Sequence, residues 1–345
     1  MNTEVLYRKY RPATFTDVIG QDHIVSVLQS AIDKESPNHA YLFFGTRGTG
    51  KTSIARLVAQ ALGTKPEDIH EIDGASNRKI DDIRELRDAV HTLPFDSKYK
   101  VYIIDEVHML TTEAFNALLK TLEEPPLHVI FILATTEVEK VPETIKSRCE
   151  VFTFRRPTEK ILQEYVRDIS EKEGLTISPE GVELISLLGN RSFRDTLSVL
   201  QKVVTLSKDS VISEEEIQRI SGAPTDVVVY EYLKALISGD VALGVEVLSS
   251  TKEAGVEMRL FVNRSMMIVR DILLVRYSSE GKKNLAKVRS DSRIKFIEEV
   301  LEINKEIFSS DLLLLFLETE KNMRFAFISE LPLEILLYKV KEQIG

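Results

Sequence analysis

Gly45-Thr46-Arg47-Gly48-Thr49-Gly50-Lys51-Thr52 follows a short apolar run, residues 41–44, and leads into a helical pattern over residues 53–62. A strand that passes through such a glycine-rich octet into a helix is the setting in which G-x-x-x-x-G-K-[ST] forms a phosphate-binding loop. Glycines let the backbone curl with its N–H groups turned inward at phosphate oxygens, and the helix behind adds the positive end of its dipole. Gly45, Thr46, Arg47, Gly48, Thr49 and Gly50 are then the cradle. Lys51 neutralises the β- and γ-phosphates of ATP, and the Thr52 hydroxyl ligates magnesium.

Outward from this loop, β-rich runs at 41–44, 69–72, 101–104, 129–133 and 151–154 alternate with helical patterns. That alternation predicts an α/β domain with a five-stranded parallel sheet covered on both faces. The run Val101-Tyr102-Ile103-Ile104 ends in Asp105-Glu106, at the carboxyl edge where open α/β sheets bind ligands. Alone, such a pair is a solvated strand end. Together with the loop, Asp105 is expected to hold magnesium through water, and Glu106 to polarise the water that attacks the γ-phosphate. His108 lies beside this motif. Thr135-Thr136 follows the next strand; a hydroxyl there, Thr136 in particular, either faces the attacking water and γ-phosphate or caps the following turn.

From Thr158 onward the spacing becomes helical, as in Ile161, Tyr165 and Ile169. Arg156-Pro157 marks a boundary, with the proline expected near the first helical turn. Ser221-Gly222-Ala223-Pro224 reads as a helix stop and a second boundary. The expected organisation is a nucleotide-binding domain over 1–156, a helical lid over 157–222 and an all-helical domain over 223–345.

Composition narrows the class. No apolar run approaches the roughly 20 residues of a membrane span, and the start of the chain has no apolar signal segment, so a cytoplasmic protein is expected. Cys149 is the only cysteine, which excludes an internal disulfide and a four-cysteine site; zinc is not expected. A net charge of −9 argues against a chain coated in positive charge, while leaving room for a local basic surface.

These motifs resemble those of AAA+ ATPases. Tyr10-Arg11-Pro12 with Phe15 and Val18-Ile19-Gly20-Gln21 is similar to the opening of clamp-loader ATPases, whose early segment packs on the adenine. Glu71-Ile72-Asp73-Gly74-Ala75-Ser76-Asn77, the stretch Asp105-Glu106-Val107-His108-Met109-Leu110, the run from Asn116 to Glu123-Glu124-Pro125-Pro126, and Ser147-Arg148-Cys149 narrow the resemblance. Together they are similar to the gamma/tau subunits of the bacterial DNA polymerase III clamp loader.

The resemblance implies an ATPase motor that opens a ring-shaped clamp and loads it on primed DNA. The expected partners are delta and delta-prime subunits, the beta clamp, primer-template DNA and further copies of the chain. Tyr10, Arg11, Pro12 and Val18 would hold the adenine. Arg148 would be an arginine finger reaching a neighbour's ATP, and Arg194 a second sensor of the subunit's own nucleotide. The helical part would be a lid and an oligomerisation collar. Asn77, Arg84, Lys120 and Thr144 match DNA-tracking positions and would touch phosphates rather than bases. Nothing resembles a nucleotidyl-transfer site, so polymerase chemistry would belong to the larger complex.

Two departures stand out. Leu62-Gly63-Thr64-Lys65-Pro66-Glu67-Asp68 bridges directly to Ile69 where the family usually carries a cysteine-rich zinc module, and the chain resembles the short form. Asn190-Arg191 precede Ser192, where a small residue is usual. Three other readings compete: another AAA+ motor such as a Holliday-junction branch-migration ATPase, a non-hydrolysing delta-prime-like subunit, and the small subunit of archaeal or eukaryotic loaders. The first two lack, respectively, the Glu-Glu-Pro-Pro and Ser-Arg-Cys arrangement and an intact phosphate loop; the third differs in the acidic box.

Overall fold

The structure, a computed structural model, describes residues 4–76, 86, 89–207, 210–278, 280–286 and 288–344. They group into two compact units, Met1–Leu162 with Gly189–Ser198, and Gln163–Leu188 with Val199–Gly345.

The first unit contains, in chain order, α1 (Leu6–Lys9), α2 (Asp22–Asp33), β1 (Ala40–Phe44), α3 (Lys51–Ala61), β2 (Ile69–Asp73), β3 (Lys100–Asp105), α4 (Thr112–Glu123), β4 (Val129–Thr135), α5 (Glu143–Lys146) and β5 (Glu150–Thr153). The strands form one parallel sheet in the order β2-β3-β4-β1-β5. Alternate residues feed two cores, as a sheet covered on both faces requires. Tyr102, Ile104, Phe131 and Leu133 pack with Ala114, Phe115 and Leu118 of α4. Val101, Ile103, Ile130 and Ile132 pack with Ile24 and Leu28 of α2 and with Ile54 and Val58 of α3.

The sheet matches the sequence reading in number and direction of strands, and most strand ends shift by one or two residues. β4 continues through Thr135, which pairs with Phe44 of β1, instead of stopping at Leu133. β5 ends at Thr153, although the Phe154 N–H still donates to the Phe44 carbonyl at 2.7 Å. After α3 the chain passes through one 3-10 turn, Pro66–Asp68, straight into β2.

Beyond the sheet lie α6 (Glu159–Lys172), β6 (Thr176–Ile177), α7 (Pro179–Leu188), α8 (Phe193–Leu206), β7 (Val211–Ile212), α9 (Glu214–Ser221), α10 (Asp226–Ser238), α11 (Val241–Glu253), α12 (Met258–Tyr277), α13 (Gly281–Leu285), α14 (Asp291–Ile303), α15 (Ser310–Asn322) and α16 (Leu331–Ile344). The short β6–β7 pair is an addition to the helical lid expected over 157–222; two residues per strand are too few to leave a periodic signal. Pro157 falls just before the α6 cap rather than in its first turn, because the Thr158 hydroxyl accepts the Ile161 N–H at 3.3 Å. Gly222 closes α9 in the left-handed region, φ 69°, as the stop signal predicted. No helix among the described residues is long and apolar enough to cross a membrane.

In the second unit, apolar packing of α10, α11, α12, α14, α15 and α16 surrounds a buried ionic cluster. Asp226 of α10 accepts from Arg264 of α12 at 2.8 Å and from Arg293 of α14 at 2.9 Å. Arg289 and Arg293 reach Asp271 at 2.8 and 3.4 Å. Glu183 of α7 lies 3.9, 3.7 and 3.6 Å from Arg264, Arg289 and Arg293. Burial alone would raise the Asp226 carboxyl, but Arg264 and Arg293 outweigh it and hold it well below the usual range. Removing one member leaves buried charge without its partner, which costs about 3–5 kcal/mol. Arg293→Met is therefore expected to lower stability by that amount in chemical denaturation at neutral pH. Lys234→Met, which breaks an exposed pair with Glu299 and a distant contact with the Phe296 ring, is expected to cost under about 1 kcal/mol.

Candidate functional site

The phosphate loop is built by close approach and by a buried cation. Gly45 follows β1, its N–H donating to the Thr135 carbonyl at 3.2 Å; a Cβ here would lie 2.7 Å from the Cβ of Phe154. Gly48 and Gly50 adopt φ of 73° and 101°, which turn the chain into the first residue of α3. That residue, Lys51, is only 6% exposed, and its ammonium donates to the carbonyls of Gly45 at 2.7 Å and Thr46 at 3.0 Å. The Thr49 hydroxyl also donates to Thr46 O, at 2.8 Å. Burial pushes the Lys51 ammonium below the usual lysine range, against the opposing pull of Glu106 and Asp105. A desolvated cation at a helix N-terminus, ringed by backbone, fits a polyphosphate.

The acidic edge faces it. Parallel register sets Asp73 beside Asp105 and Ile104 beside Leu133, so the strand ends converge. The Thr52 hydroxyl donates to Asp105 Oδ2 at 2.7 Å. These two adjacent hard oxygens suit magnesium, which takes few protein ligands and keeps water and phosphate for the rest. Glu106 has left-handed backbone, φ 47°, and its N–H donates to Asp105 Oδ1 at 2.9 Å. A Cβ at Gly74 would meet the Glu106 carbonyl oxygen at 2.8 Å, so glycine is what lets the chain after β2 pass this turn.

The two threonines separate. Thr136 Oγ1 donates to Glu106 Oε2 at 3.1 Å. Thr135, wholly buried at the end of β4, accepts the Glu137 N–H at 3.0 Å, the turn-capping role. Lys51, Thr52, Asp105, Glu106 and Thr136 thus come together as one site.

The rim holds residues that the sequence reading did not assign. Gln21, 1% exposed, donates to Arg155 O at 2.8 Å and to Thr49 O at 3.4 Å, and accepts from Arg155 N at 3.1 Å. It ties the phosphate loop to the chain leaving β5; its only sequence signal was its place at the end of Val18-Ile19-Gly20-Gln21, with no role of its own. The segment 189–198 belongs to this unit: Phe193 N–H donates to Gly48 O at 3.0 Å, and a Cβ at Gly48 would lie 1.9 Å from Ser192 Oγ. Asn190 and Arg191 are both left-handed, φ 47° and 57°, a conformation in which a side chain is disfavoured by roughly 1–2 kcal/mol. Glycine would escape that cost, and asparagine is among the side chains that bear it best. Arg194 stacks its guanidinium 5.1 Å from the centre of the Tyr7 ring. Burial, then Arg56, Arg8 and Arg194, lower the pKa of Arg11, with Glu71 opposing; Glu71 pairs with Arg56 at 2.5 Å. Tyr10, Pro12 and Val18 are half-buried near this cationic rim, and Arg47 is exposed.

Arg148 is engaged elsewhere. Its guanidinium donates to Glu123 Oε1 at 2.7 Å and to Thr144 O at 2.8 Å. Lys120 on α4 and Thr144 on α5 are exposed. Asn77 and Arg84 lie outside the described residues. Burial pushes the Cys149 thiol up to about 12, so it is no nucleophile.

Comparison with known proteins bears on the family and the fold. Residues 63–158 match the family model described as DNA polymerase III, delta subunit. DNA polymerase III subunit tau of Bacillus subtilis is 38% identical over 87% of this chain and 57% of its own length. The chain therefore spans little more than half of that relative. Subunit gamma of Buchnera aphidicola is 35% identical over 87% of this chain and 88% of its own. Among solved structures, the Holliday junction branch migration motor RuvB of Thermotoga maritima aligns at a TM-score of 0.53 and 22% identity, over 66% of this chain and 79% of that one; this likeness shows the fold alone. At 35% identity over most of both chains, the similarity to the Buchnera gamma subunit is enough to say that the chain belongs to the gamma/tau family of DNA polymerase III subunits.

Proposed function

We propose that this chain is an ATP-hydrolysing motor of a cytoplasmic sliding-clamp loader, working with delta and delta-prime subunits and further copies of itself to place the beta clamp on primed DNA. The observation that carries the reading is the convergence of Lys51, Thr52, Asp105, Glu106 and Thr136 on one edge of the sheet. A non-hydrolysing wall subunit would have no use for that set.

Lys51 would exchange its two carbonyl partners for phosphate oxygens, with Gly45 to Gly50 supplying N–H donors. Thr52 and Asp105 would hold magnesium, which supplies charge neutralisation across the β- and γ-phosphates. Glu106, steadied by Thr136, would orient the attacking water. The water oxygen bonds to the γ-phosphorus as the bond to the β–γ bridging oxygen breaks, and the water's proton passes to Glu106 or to the departing phosphate. Tyr10, Arg11, Pro12 and Val18 would border the adenine. Arg194 would sense the γ-phosphate of its own subunit's ATP and couple the lid, 157–222, to it, while the collar, 223–345, would hold the copies together. Arg148 would leave Glu123 to reach the ATP of a neighbouring copy, which makes each site composite.

Lys51→Ala is expected to abolish ATP binding. Glu106→Gln should bind ATP at wild-type affinity and lose at least about 100-fold in turnover, and Arg148→Ala should lose about 10³-fold in the assembled loader with binding intact. Titration with a fluorescent ATP analogue beside steady-state phosphate release checks all three; full turnover by Arg148→Ala would remove the composite site. In DNA binding by the assembly, Lys120→Ala is expected to reduce the slope of log affinity against log salt by about 1 per copy. An unchanged slope takes Lys120 off the DNA path.

A further inference from the structure

His108 is 5% exposed at its side chain, and its polar partners all lie at the hydrolytic edge. It sits in the 3-10 turn Val107–Met109 just after Glu106. Its Nδ1 lies 3.3 Å from Glu106 Oε2 and 3.0 Å from Thr135 Oγ1. Its Nε2 lies 3.2 Å from Glu137 Oε1, and Lys140 holds the other oxygen of that carboxylate at 2.9 Å. Nδ1 therefore hydrogen-bonds to Thr135 and lies against Glu106, Nε2 lies against Glu137, and a buried imidazole so placed has little rotational freedom.

Glu106 needs such support. Its backbone is in the left-handed region, so no helix or strand ladder fixes the direction of its side chain. Thr136 approaches the same Oε2 that His108 approaches, which leaves Oε1 as the oxygen free to take the water. We propose that His108 is a positioning residue for ATP hydrolysis, holding the Glu106 carboxylate from the side of Thr135 and Glu137. This rests on the hydrolytic reading above and adds a residue to it.

The ring's two nitrogens allow a test by amide mimicry. Asn carries its amide near the position of Nδ1 and so keeps the Glu106 contact; Gln carries its amide near Nε2 and keeps only the Glu137 contact. In the assembled loader, His108→Ala is expected to lower kcat on the order of 10-fold to 100-fold, with KM for ATP and binding of a fluorescent ATP analogue unchanged. His108→Asn should recover most of the loss and His108→Gln little of it. If His108→Ala fails to fold, the Asn and Gln pair decides alone. Unchanged kcat in His108→Ala, or rescue by Gln equal to or better than by Asn, overturns the inference while wild-type turnover leaves the hydrolytic reading standing. Absence of turnover in the wild-type assembly overturns both.

Discussion

A single buried ammonium organises the site. Lys51 is nearly out of water, and its two carbonyl partners, Gly45 O and Thr46 O, belong to the loop whose own shape depends on it. Neutral carbonyls compensate only part of the solvation that the cation loses, so the ammonium remains a strong attractor for anionic oxygen. The glycines, the start of α3 and the carboxylates of Asp105 and Glu106 all answer that one charge: the first two expose N–H donors beside it, and the carboxylates oppose the burial that pushes its pKa down.

The sheet converts this local chemistry into a site. Because β1, β3 and β4 run parallel, residues far apart in sequence finish at one edge, with Phe44 beside Thr135 and Asp73 beside Asp105. Side chains on rigid strand ends hold their positions more tightly than side chains on loops. The pieces that must move in the proposed cycle sit differently. Arg148 is held by a half-exposed carboxylate, Glu123, at a pairing worth well under about 1 kcal/mol, a contact easily exchanged for phosphate. The helical unit, by contrast, is braced by buried charge around Arg293, which suits a part that transmits force.

Much of this was legible in the sequence, and the reasons are specific. The octet from Gly45 to Thr52 and the run ending in Asp105-Glu106 state both ligand chemistry and strand context, and the alternation of β-rich runs with helical patterns gives the five strands. The division of labour between Thr135 and Thr136 did not follow, since it depends on β4 running to Thr135 to pair with β1. Gln21 and His108 escaped assignment because their partners, Arg155 and Glu137, are joined to them only by the fold. The buried cluster of Glu183, Asp226, Arg264, Asp271, Arg289 and Arg293 was equally hidden: on a sequence, charges spaced along helices read as solvated faces.

Coupling of hydrolysis to clamp and DNA is the central claim, because a phosphate loop alone belongs to many machines. The direct measurement is steady-state ATP turnover by this chain with the proposed delta and delta-prime partners, in the presence and absence of the beta clamp and primed DNA. The account predicts strong stimulation that requires clamp and primer-template together. Turnover indifferent to both would contradict it and return the chain to the wider class of AAA+ motors.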